Sequence, residues 1–264
     1  MDPGSSSLIR SLSSLPGLKY GMRFSGTATW SVEGLAGDID ASGTLHLKAD
    51  APNQVGKVVA TAGSLKSVAE VRITAPLPWS EDFESIAEGN FPRHWLRVGK
   101  LAKVVTLDGN KVLRLEPPDS GVAHTSGFMG PASMSGYTVQ ADVHGSQQGR
   151  RRPDIGLINS GYTLDLQGGY QRLEIRTWDA ELRVREQVPF EWDMNTWYTE
   201  KLRVDIEGDK AVVRGKVWPR DQPEPAEWTV TAEDPYPVRN GSPGLYGYSP
   251  VDLYFDNVKV MVNP

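Results

Sequence analysis

The chain has 264 residues and a formal net charge of −5 at pH 7, with 39% hydrophobic and 23% charged residues. This size and composition allow a sizeable folded core, while the acidic balance argues against a nucleic-acid-binding surface. The chain has no cysteine, which excludes disulfides, thiolate catalysis and Cys-based zinc sites. It also has no apolar run of the roughly 18 residues that a membrane span requires, so no membrane insertion is predicted.

The N-terminal part, residues 1–23, is predicted to be a flexible leader. Met1–Leu18 reads MDPGSSSLIRSLSSLPGL, without the basic segment, the continuous apolar segment or the cleavage site of a secretion signal. This part therefore gives no indication of export by itself.

Residues 24–75 are predicted to form a small or incomplete immunoglobulin-like β domain. Four short strands are expected, separated by turn-forming pairs such as Ser42-Gly43. The predicted strands are Thr27–Val32, Thr44–Lys48, Lys57–Ala62 and Ala69–Thr74. Since an immunoglobulin-like domain usually has about seven strands, this one would lack some of them. The proline-rich run Ala75–Trp79 then forms a stiff joint to the next region.

Residues 76–264 are predicted to form one two-sheet β-sandwich of the jelly-roll kind, because short strands with polar connections follow one another. In the run from Arg172 to Trp178, Leu173 and Ile175 share one face, and Glu174, Arg176 and Trp178 share the other. The same alternation in Lys201–Ile206 predicts that Leu202, Val204 and Ile206 point inwards. A long loop is predicted over residues 121–136. The predicted strands are Val104–Asp108, Lys111–Glu116, Tyr137–His144, Asp154–Asn159, Tyr162–Gln167, Arg172–Thr177, Leu182–Gln187, Thr196–Glu207, Lys210–Trp218, Trp228–Glu233 and Leu253–Val262.

Strings at both ends of this second region resemble those of laminin-G and concanavalin A-like modules. The opening strings are LPWSEDFE at Leu77–Glu84 and FPRHW at Phe91–Trp95, and the closing string is YFDNVKV at Tyr254–Val260. Further strings resemble the C-terminal region of bacterial pyrroloquinoline-quinone-type (outer-membrane assembly lipoprotein-like) β-propeller proteins, where an immunoglobulin-like segment precedes such a sandwich. They are Pro153–Asn159, Asn195–Tyr198 and Gly241–Leu245.

The resemblance implies an all-β protein, with a concanavalin A-like jelly-roll sandwich preceded by the small immunoglobulin-like domain. It also implies an exported bacterial protein, periplasmic or extracellular, with a β-propeller domain as a candidate neighbour. The chain itself has no repeated blade signal of 40–50 residues, so no quinone-dependent activity is carried over.

A structural calcium ion that ties the first strand of the sandwich to the last is a further implication of the resemblance. The matching residues are Asp82, Glu84 and Asp256. Calcium takes six to eight oxygen ligands, of which two or three carboxylates are visible in a sequence. The alternative is that these carboxylates cap strand ends or pair with a lysine or arginine.

A ligand-binding face is predicted around the strand Arg172–Thr177, because aromatic rings fit the C–H surface of a sugar and planar polar groups fit its hydroxyls. The alternative is that the aromatic residues belong to the core and the charges form cross-strand pairs. The basic run Arg150–Arg152 either contacts an acidic polysaccharide or a phosphate, or is a solvated loop. The candidate ligand-binding residues are Tyr162, Asp165, Tyr170, Arg172, Glu174, Arg176 and Trp178.

The function favoured by the sequence is a non-catalytic accessory module that binds carbohydrate or cell-surface glycan. One alternative is a purely structural domain that packs against a partner domain. Another is a polysaccharide hydrolase or lyase, in which Glu174 would meet Asp165 or Glu181 across neighbouring strands. A hydrolase needs two carboxyl groups at about 5–9.5 Å, and the ExDxxE string of laminarinase-type enzymes is missing here.

Overall fold

The computed structural model describes residues 28–98, 102–119, 121–177 and 182–264, and the predicted leader lies outside them. The regular secondary structure of these residues consists of β-strands. No helix in the described part of the chain is long and apolar enough to cross a membrane. The chain divides into two compact units, with the boundary between Ala75 and Pro76.

The first unit is described over residues 28–75 and contains two small antiparallel sheets. A three-stranded sheet has the order β1-β4-β5, and β2 pairs with β3. The strand β2 was not predicted, because GDI is too short to show alternation. The immunoglobulin-like interpretation of this unit stays a prediction. The strands are β1 (Thr29–Glu33), β2 (Gly37–Ile39), β3 (Leu45–Leu47), β4 (Gln54–Ala62) and β5 (Leu65–Ile73).

The second unit carries strands β6 to β20. They are β6 (Trp79–Glu81), β7 (Leu96–Val98), β8 (Ala102–Leu107), β9 (Asn110–Leu115), β10 (Ala123–Phe128), β11 (Tyr137–Gly145), β12 (Asp154–Asn159), β13 (Tyr162–Gln167), β14 (Arg172–Thr177), β15 (Arg185–Pro189), β16 (Trp197–Glu207), β17 (Lys210–Pro219), β18 (Val230–Asp234), β19 (Gly244–Ser249) and β20 (Leu253–Val262).

These strands form two antiparallel sheets that pack face to face. One sheet has seven strands in the order β15-β14-β13-β12-β19-β10-β7. The other has eight strands in the order β18-β17-β16-β11-β20-β9-β8, with β6 beside β20. The prediction of an all-β protein with a two-sheet jelly-roll sandwich is confirmed.

The core lies between the two sheets and is built from one face of each strand. Leu164, Leu173 and Ile175 from the seven-stranded sheet are buried in it, together with Leu202 and Val213 from the eight-stranded sheet. Fully burying such a side chain contributes about 1.5–3 kcal/mol. The alternation predicted for β14 and β16 is confirmed, and it fixes which residues of the seven-stranded sheet lie on its outer face.

The prediction of a loop over residues 121–136 is wrong for its first half, because the strand β10 lies there, between β7 and β19. Its sequence AHTSGF has no alternation of apolar and polar residues, so the strand is defined by hydrogen bonds to its neighbours rather than by its own pattern. The strand β19, with the sequence GLYGYS, was missed for the same reason.

A carboxyl group is buried in the core of the sandwich. Glu200 of β16 lies opposite Ala141 and Val217, is 0% exposed, and neither carboxyl oxygen has a hydrogen-bond partner among the described residues. Burial raises the pKa of Glu200 well above its ordinary value, and the nearby Asp165 carboxyl adds to this shift. The core therefore favours the protonated form of Glu200.

We expect Glu200→Leu to raise the free energy of unfolding at pH 8 by about 1–3 kcal/mol, since it removes an unsatisfied buried polar group. Below about pH 4.5 the parent carboxyl is protonated in both the folded and the unfolded chain. Above that pH the unfolded chain loses the proton first, so the parent loses stability as the pH rises towards the folded-state pKa. Urea unfolding of parent and variant from pH 4.5 to 8 measures this, and a constant difference between them would contradict it.

Candidate functional site

The outer face of the seven-stranded sheet, defined by the residues opposite the core, collects charged, amide and aromatic side chains. The register places Glu174 opposite Asp165 on one side and opposite Gln187 on the other. In the same way Asp154 lies opposite Gln167 and Tyr248. The members of this outer face are His124, Asp154, Asp165, Gln167, Arg172, Glu174, Arg176, Arg185, Gln187, Tyr246 and Tyr248.

A glycine interrupts the row of side chains that runs across the middle of this face. Gly156 lies between Asp165 and Tyr246 in the register. A Cβ atom at Gly156 would lie only 1.8 Å from the carbonyl oxygen of Leu164, so the close approach of β12 and β13 requires glycine here. The row is thus divided into a carboxylate side and a tyrosine side.

Glu174 is the centre of the charged half of the face. Its carboxylate is 3.2 Å from Arg185 Nε, 3.3 Å from Arg176 Nε and 3.6 Å from Arg172 Nη2. The side-chain amide of Gln187 also donates a hydrogen bond to it. Although Glu174 lies on the outer face, the packing of these long side chains leaves it 0% exposed. Three arginines thus surround one buried carboxylate in this half of the face.

Asp165 is buried beside this cluster, and burial raises its pKa to about 7. The carboxyl of Asp154 adds to the shift, while the Arg176 guanidinium opposes it. One oxygen, Oδ2, accepts a hydrogen bond from Gln167 Nε2 at 3.1 Å and lies 3.5 Å from Arg176 Nη2. Burial likewise raises the pKa of Asp154 to about 6. Near neutral pH these two carboxyls therefore bind protons that ordinary aspartates would have lost.

Arg172 lies between the charged cluster and the open end of the face. Its guanidinium donates hydrogen bonds to Gln167 Oε1 at 2.6 Å and to Gln187 Oε1 at 3.1 Å. It also lies 4.4 Å from the centroid of the Tyr170 ring, within the range of a cation–π contact. Tyr170 itself is 73% exposed, so one face of the ring supports Arg172 and the rest of the side chain is accessible.

Aromatic rings occupy the other half of the face. The ring centroids of His124 and Tyr248 are 4.4 Å apart with an interplanar angle of 33°, and Tyr248 is 38% exposed. The Tyr246 ring lies 5.2 Å from the Arg176 guanidinium, which joins the two halves of the face. Ring faces and planar hydrogen-bonding groups are therefore held side by side on one surface.

The structure brings together some of the predicted ligand-binding residues and separates others. Asp165, Arg172, Glu174 and Arg176 lie on the outer face, Tyr170 lies in the turn before β14, and Trp178 lies outside the described residues. Tyr162 is corrected, since it shares the buried inner face with Leu164 and Leu166. Its hydroxyl donates to Asp234 Oδ2 at 2.8 Å and accepts from the Val238 N–H, which makes it part of the core.

Several residues of the face were missed by sequence reasoning. Gln167, Arg185 and Gln187 lie on β13 and β15, the chain neighbours of β14, and the others come from strands farther away in the chain. One usable signal was the i, i+2 spacing of Tyr246 and Tyr248, which indicates two rings on the same face of a strand. The missed residues are His124, Asp154, Gln167, Arg185, Gln187, Tyr246 and Tyr248.

The three predicted calcium ligands line one depression of about 480 Å³ at the outer side of the eight-stranded sheet, beside Trp197 and Arg220. Asp256 Oδ2 accepts a hydrogen bond from Asn110 Nδ2 at 2.8 Å, and Glu84 Oε1 accepts one from the Lys111 N–H at 2.9 Å. Asp82 Oδ1 accepts the Glu84 N–H at 3.2 Å.

The donor set of this depression is the all-oxygen kind that calcium prefers. However, within the described ranges no three histidine, cysteine, aspartate or glutamate side chains come together in an arrangement that could hold a metal ion. The calcium site therefore stays a prediction from the sequence.

Comparisons with known proteins identify no family for this chain: no family model and no curated protein matches its sequence. Among solved structures, one from a study of endo-acting O-glycanases of human gut bacteria that initiate mucin breakdown is 14% identical. It has a TM-score of 0.47 and covers 70% of this chain and 99% of its own.

Two other solved structures are similar at the same level. The carbohydrate recognition domain of Emp47p is 12% identical with a TM-score of 0.46, covering 70% of this chain and 95% of its own. Lectin II from Ulex europaeus is 9% identical with a TM-score of 0.47, covering 72% of this chain and 99% of its own. Likenesses of this size do not bear on what this chain binds, so its function has to be inferred from the outer face itself.

We expect Glu174→Gln to lower the free energy of unfolding by about 2–4 kcal/mol, because three arginines would lose their buried counter-charge. This loss is set below the full cost of breaking a buried ion pair, because the arginines partly reach solvent, which screens their charges. Glu186→Gln, an exposed neighbour on β15, is the matched control and should change stability by less than about 0.5 kcal/mol. Denaturant unfolding of both variants measures their free energies of unfolding. Equal losses in the two variants would contradict a stabilising role of the Glu174 carboxylate among the three arginines.

If calcium binds at Asp82, Glu84 and Asp256, adding it at about 100 times its Kd to EDTA-treated protein should stabilise the fold by about 2.7 kcal/mol. For a unit of this size that corresponds to a rise in Tm of about 5–10 °C. Asp256→Asn should abolish the rise. The same Tm in calcium and in EDTA would contradict the prediction.

Proposed function

We propose that the second unit is a non-catalytic binding module that recognises carbohydrate on the outer face of its seven-stranded sheet. The observation that carries this proposal is the juxtaposition of exposed rings with planar hydrogen-bonding groups. Tyr170 and Tyr248 are accessible, and Arg172 and Gln187 lie on the same surface. A sugar presents an apolar C–H face that packs on a ring, and hydroxyls that pair with amide and guanidinium groups.

The state of the carboxyl groups supports binding rather than catalysis. Both carboxyls of a glycosidase have to reach the glycosidic bond. Asp165 and Glu174 do face each other across β13 and β14, but they are only 2% and 0% exposed. Arg176 lies against both of them. In this arrangement neither carboxyl can touch a bound sugar.

Glycoside hydrolysis is a second candidate, favoured by one observation. Burial raises the pKa of Asp165 to about 7, as a general acid at neutral pH requires. The reaction would need Arg176 to withdraw from both carboxyls. Release of reducing ends from a glycan that the protein binds, with loss of the release in Asp165→Asn, would favour this candidate.

A periplasmic or extracellular location is part of the proposal, because the sequence resembles exported bacterial proteins and because cell-surface glycans lie outside the cytoplasm. In that setting the module would serve as an accessory part of a larger protein, with a β-propeller as its candidate neighbour. The sequence resemblance is the support for this part of the proposal.

We expect saturable binding of the purified protein to one class of glycan on an array, and at least a tenfold loss of affinity in Tyr170→Ala and in Tyr248→Ala. Such a loss corresponds to about 1.4 kcal/mol per ring. Tyr236→Ala is the matched control, because Tyr236 is 74% exposed and follows β18 of the other sheet. Titration calorimetry of the three variants with the glycan found on the array gives the affinities.

Two results would overturn the proposal. One is the absence of binding to any glycan while circular dichroism shows an intact fold, which would favour a purely structural domain. The other is an equal loss of affinity in the control variant, which would place the binding site elsewhere.

A further inference from the structure

Three consecutive arginines border the end of the outer face where Tyr170 lies. Arg150, Arg151 and Arg152 belong to the connection between β11 and β12, and all three are exposed. Gln148 and Arg151 close this connection, since the Arg151 N–H donates to the Gln148 carbonyl at 3.0 Å and the Gln148 N–H donates to the Arg151 carbonyl at 3.3 Å. The arginines are therefore displayed on a closed turn.

This turn is joined directly to the turn that carries Tyr170. The N–H of Gly168 donates to the Pro153 carbonyl at 2.8 Å and lies 3.1 Å from Asp154 Oδ1. A Cβ atom at Gly168 would lie 3.0 Å from Cβ of Arg152, so the two turns are in contact. The arginine turn, Tyr170 and the outer face form one continuous surface.

The charges of this surface are poorly balanced. Within the described part of the chain, Arg150, Arg151 and Arg152 have no ion-pair partner. On the adjoining face, the carboxylate of Glu174 is shared by three arginines, among them Arg185, whose side chain is 49% exposed. In a protein with a net charge of −5, these three exposed arginines in succession are a local cluster of positive charge.

We infer that the ligand of the outer face is an acidic polysaccharide, whose carboxylate or sulfate groups lie against Arg150–Arg152, Arg172 and Arg185. This inference rests on the proposed function, since it names the class of carbohydrate. The planar guanidinium of arginine matches the two oxygens of a carboxylate or sulfate group, and each such hydrogen bond is strengthened by charge. Tyr170 would then pack on the sugar ring whose acidic group the arginines hold.

The test compares acidic polysaccharides with their neutral counterparts. The pairs are polygalacturonate with its fully methyl-esterified form, and dextran sulfate with dextran. We expect the acidic member of at least one pair to bind at least tenfold more tightly than its neutral counterpart. The binding should weaken as sodium chloride is raised from 50 to 200 mM, because salt screens exposed charges.

A triple variant tests the arginines against a control that removes the same charge. Arg150→Gln, Arg151→Gln and Arg152→Gln together should lower the affinity for the acidic polysaccharide at least tenfold and flatten its salt dependence. The control triple variant is Arg93→Gln, Arg239→Gln and Lys259→Gln, which are exposed residues of the same unit and lie outside the seven-stranded sheet and the arginine turn. It should leave the affinity unchanged, and a Tm measurement shows that both triple variants are folded.

The outcomes separate the inference from the proposed function. Tyr248-dependent binding of neutral glycans with no preference for charge would overturn the inference and leave the proposed function in place. Equal losses in both triple variants would also overturn the inference, as would tighter binding of a single-stranded oligonucleotide than of any polysaccharide. Binding of no glycan of either kind would overturn both.

Discussion

Burial of apolar side chains between the two sheets fixes the register of every strand in the second unit. Leu173 and Ile175 of β14 lie in the core, so the residues between and beside them have to point away from it. A shift by one residue would bury Arg172, Glu174 and Arg176 among apolar side chains and expose the two apolar residues. The cost of that shift keeps the charged residues on the outer face, where Asp165 and Gln187 lie opposite Glu174.

The sequence predicted those parts of the fold in which the two-residue alternation is strong. In β14 and in residues 201–206 of β16 apolar and polar positions alternate, and the faces of these two segments were predicted correctly. The strands β10 and β19 consist largely of glycine, serine, threonine, histidine and tyrosine, and they are strands because partners on both sides hold them. Their existence depends on tertiary pairing, which a local pattern does not contain.

The same limit applies to the candidate site. Arg172, Glu174 and Arg176 could be predicted together because they lie on one strand. Gln187 lies on β15, the strand that follows β14, and its place opposite Glu174 depends on the register of that pair. Tyr246 joins them through the pairing of β19 with β12, which are distant in the chain, and a single sequence does not show such a pair. The inclusion of Tyr162 was wrong for a reason that the sequence does contain, since the two-residue alternation of β13 puts Tyr162 on the side of Leu164 and Leu166. Its hydroxyl bonds to Asp234 on that inner side.

The strand β15 forms one edge of the seven-stranded sheet, because among the described strands it pairs only with β14. Free sheet edges are places where proteins join strand to strand and aggregate. This edge carries Arg185, Glu186 and Gln187 and ends at Pro189, whose nitrogen has no hydrogen to donate. The residues that complete the charged half of the face thus also hinder the pairing of a further strand at this edge. Two copies of the module that meet at β15 are therefore expected to remain separate sandwiches.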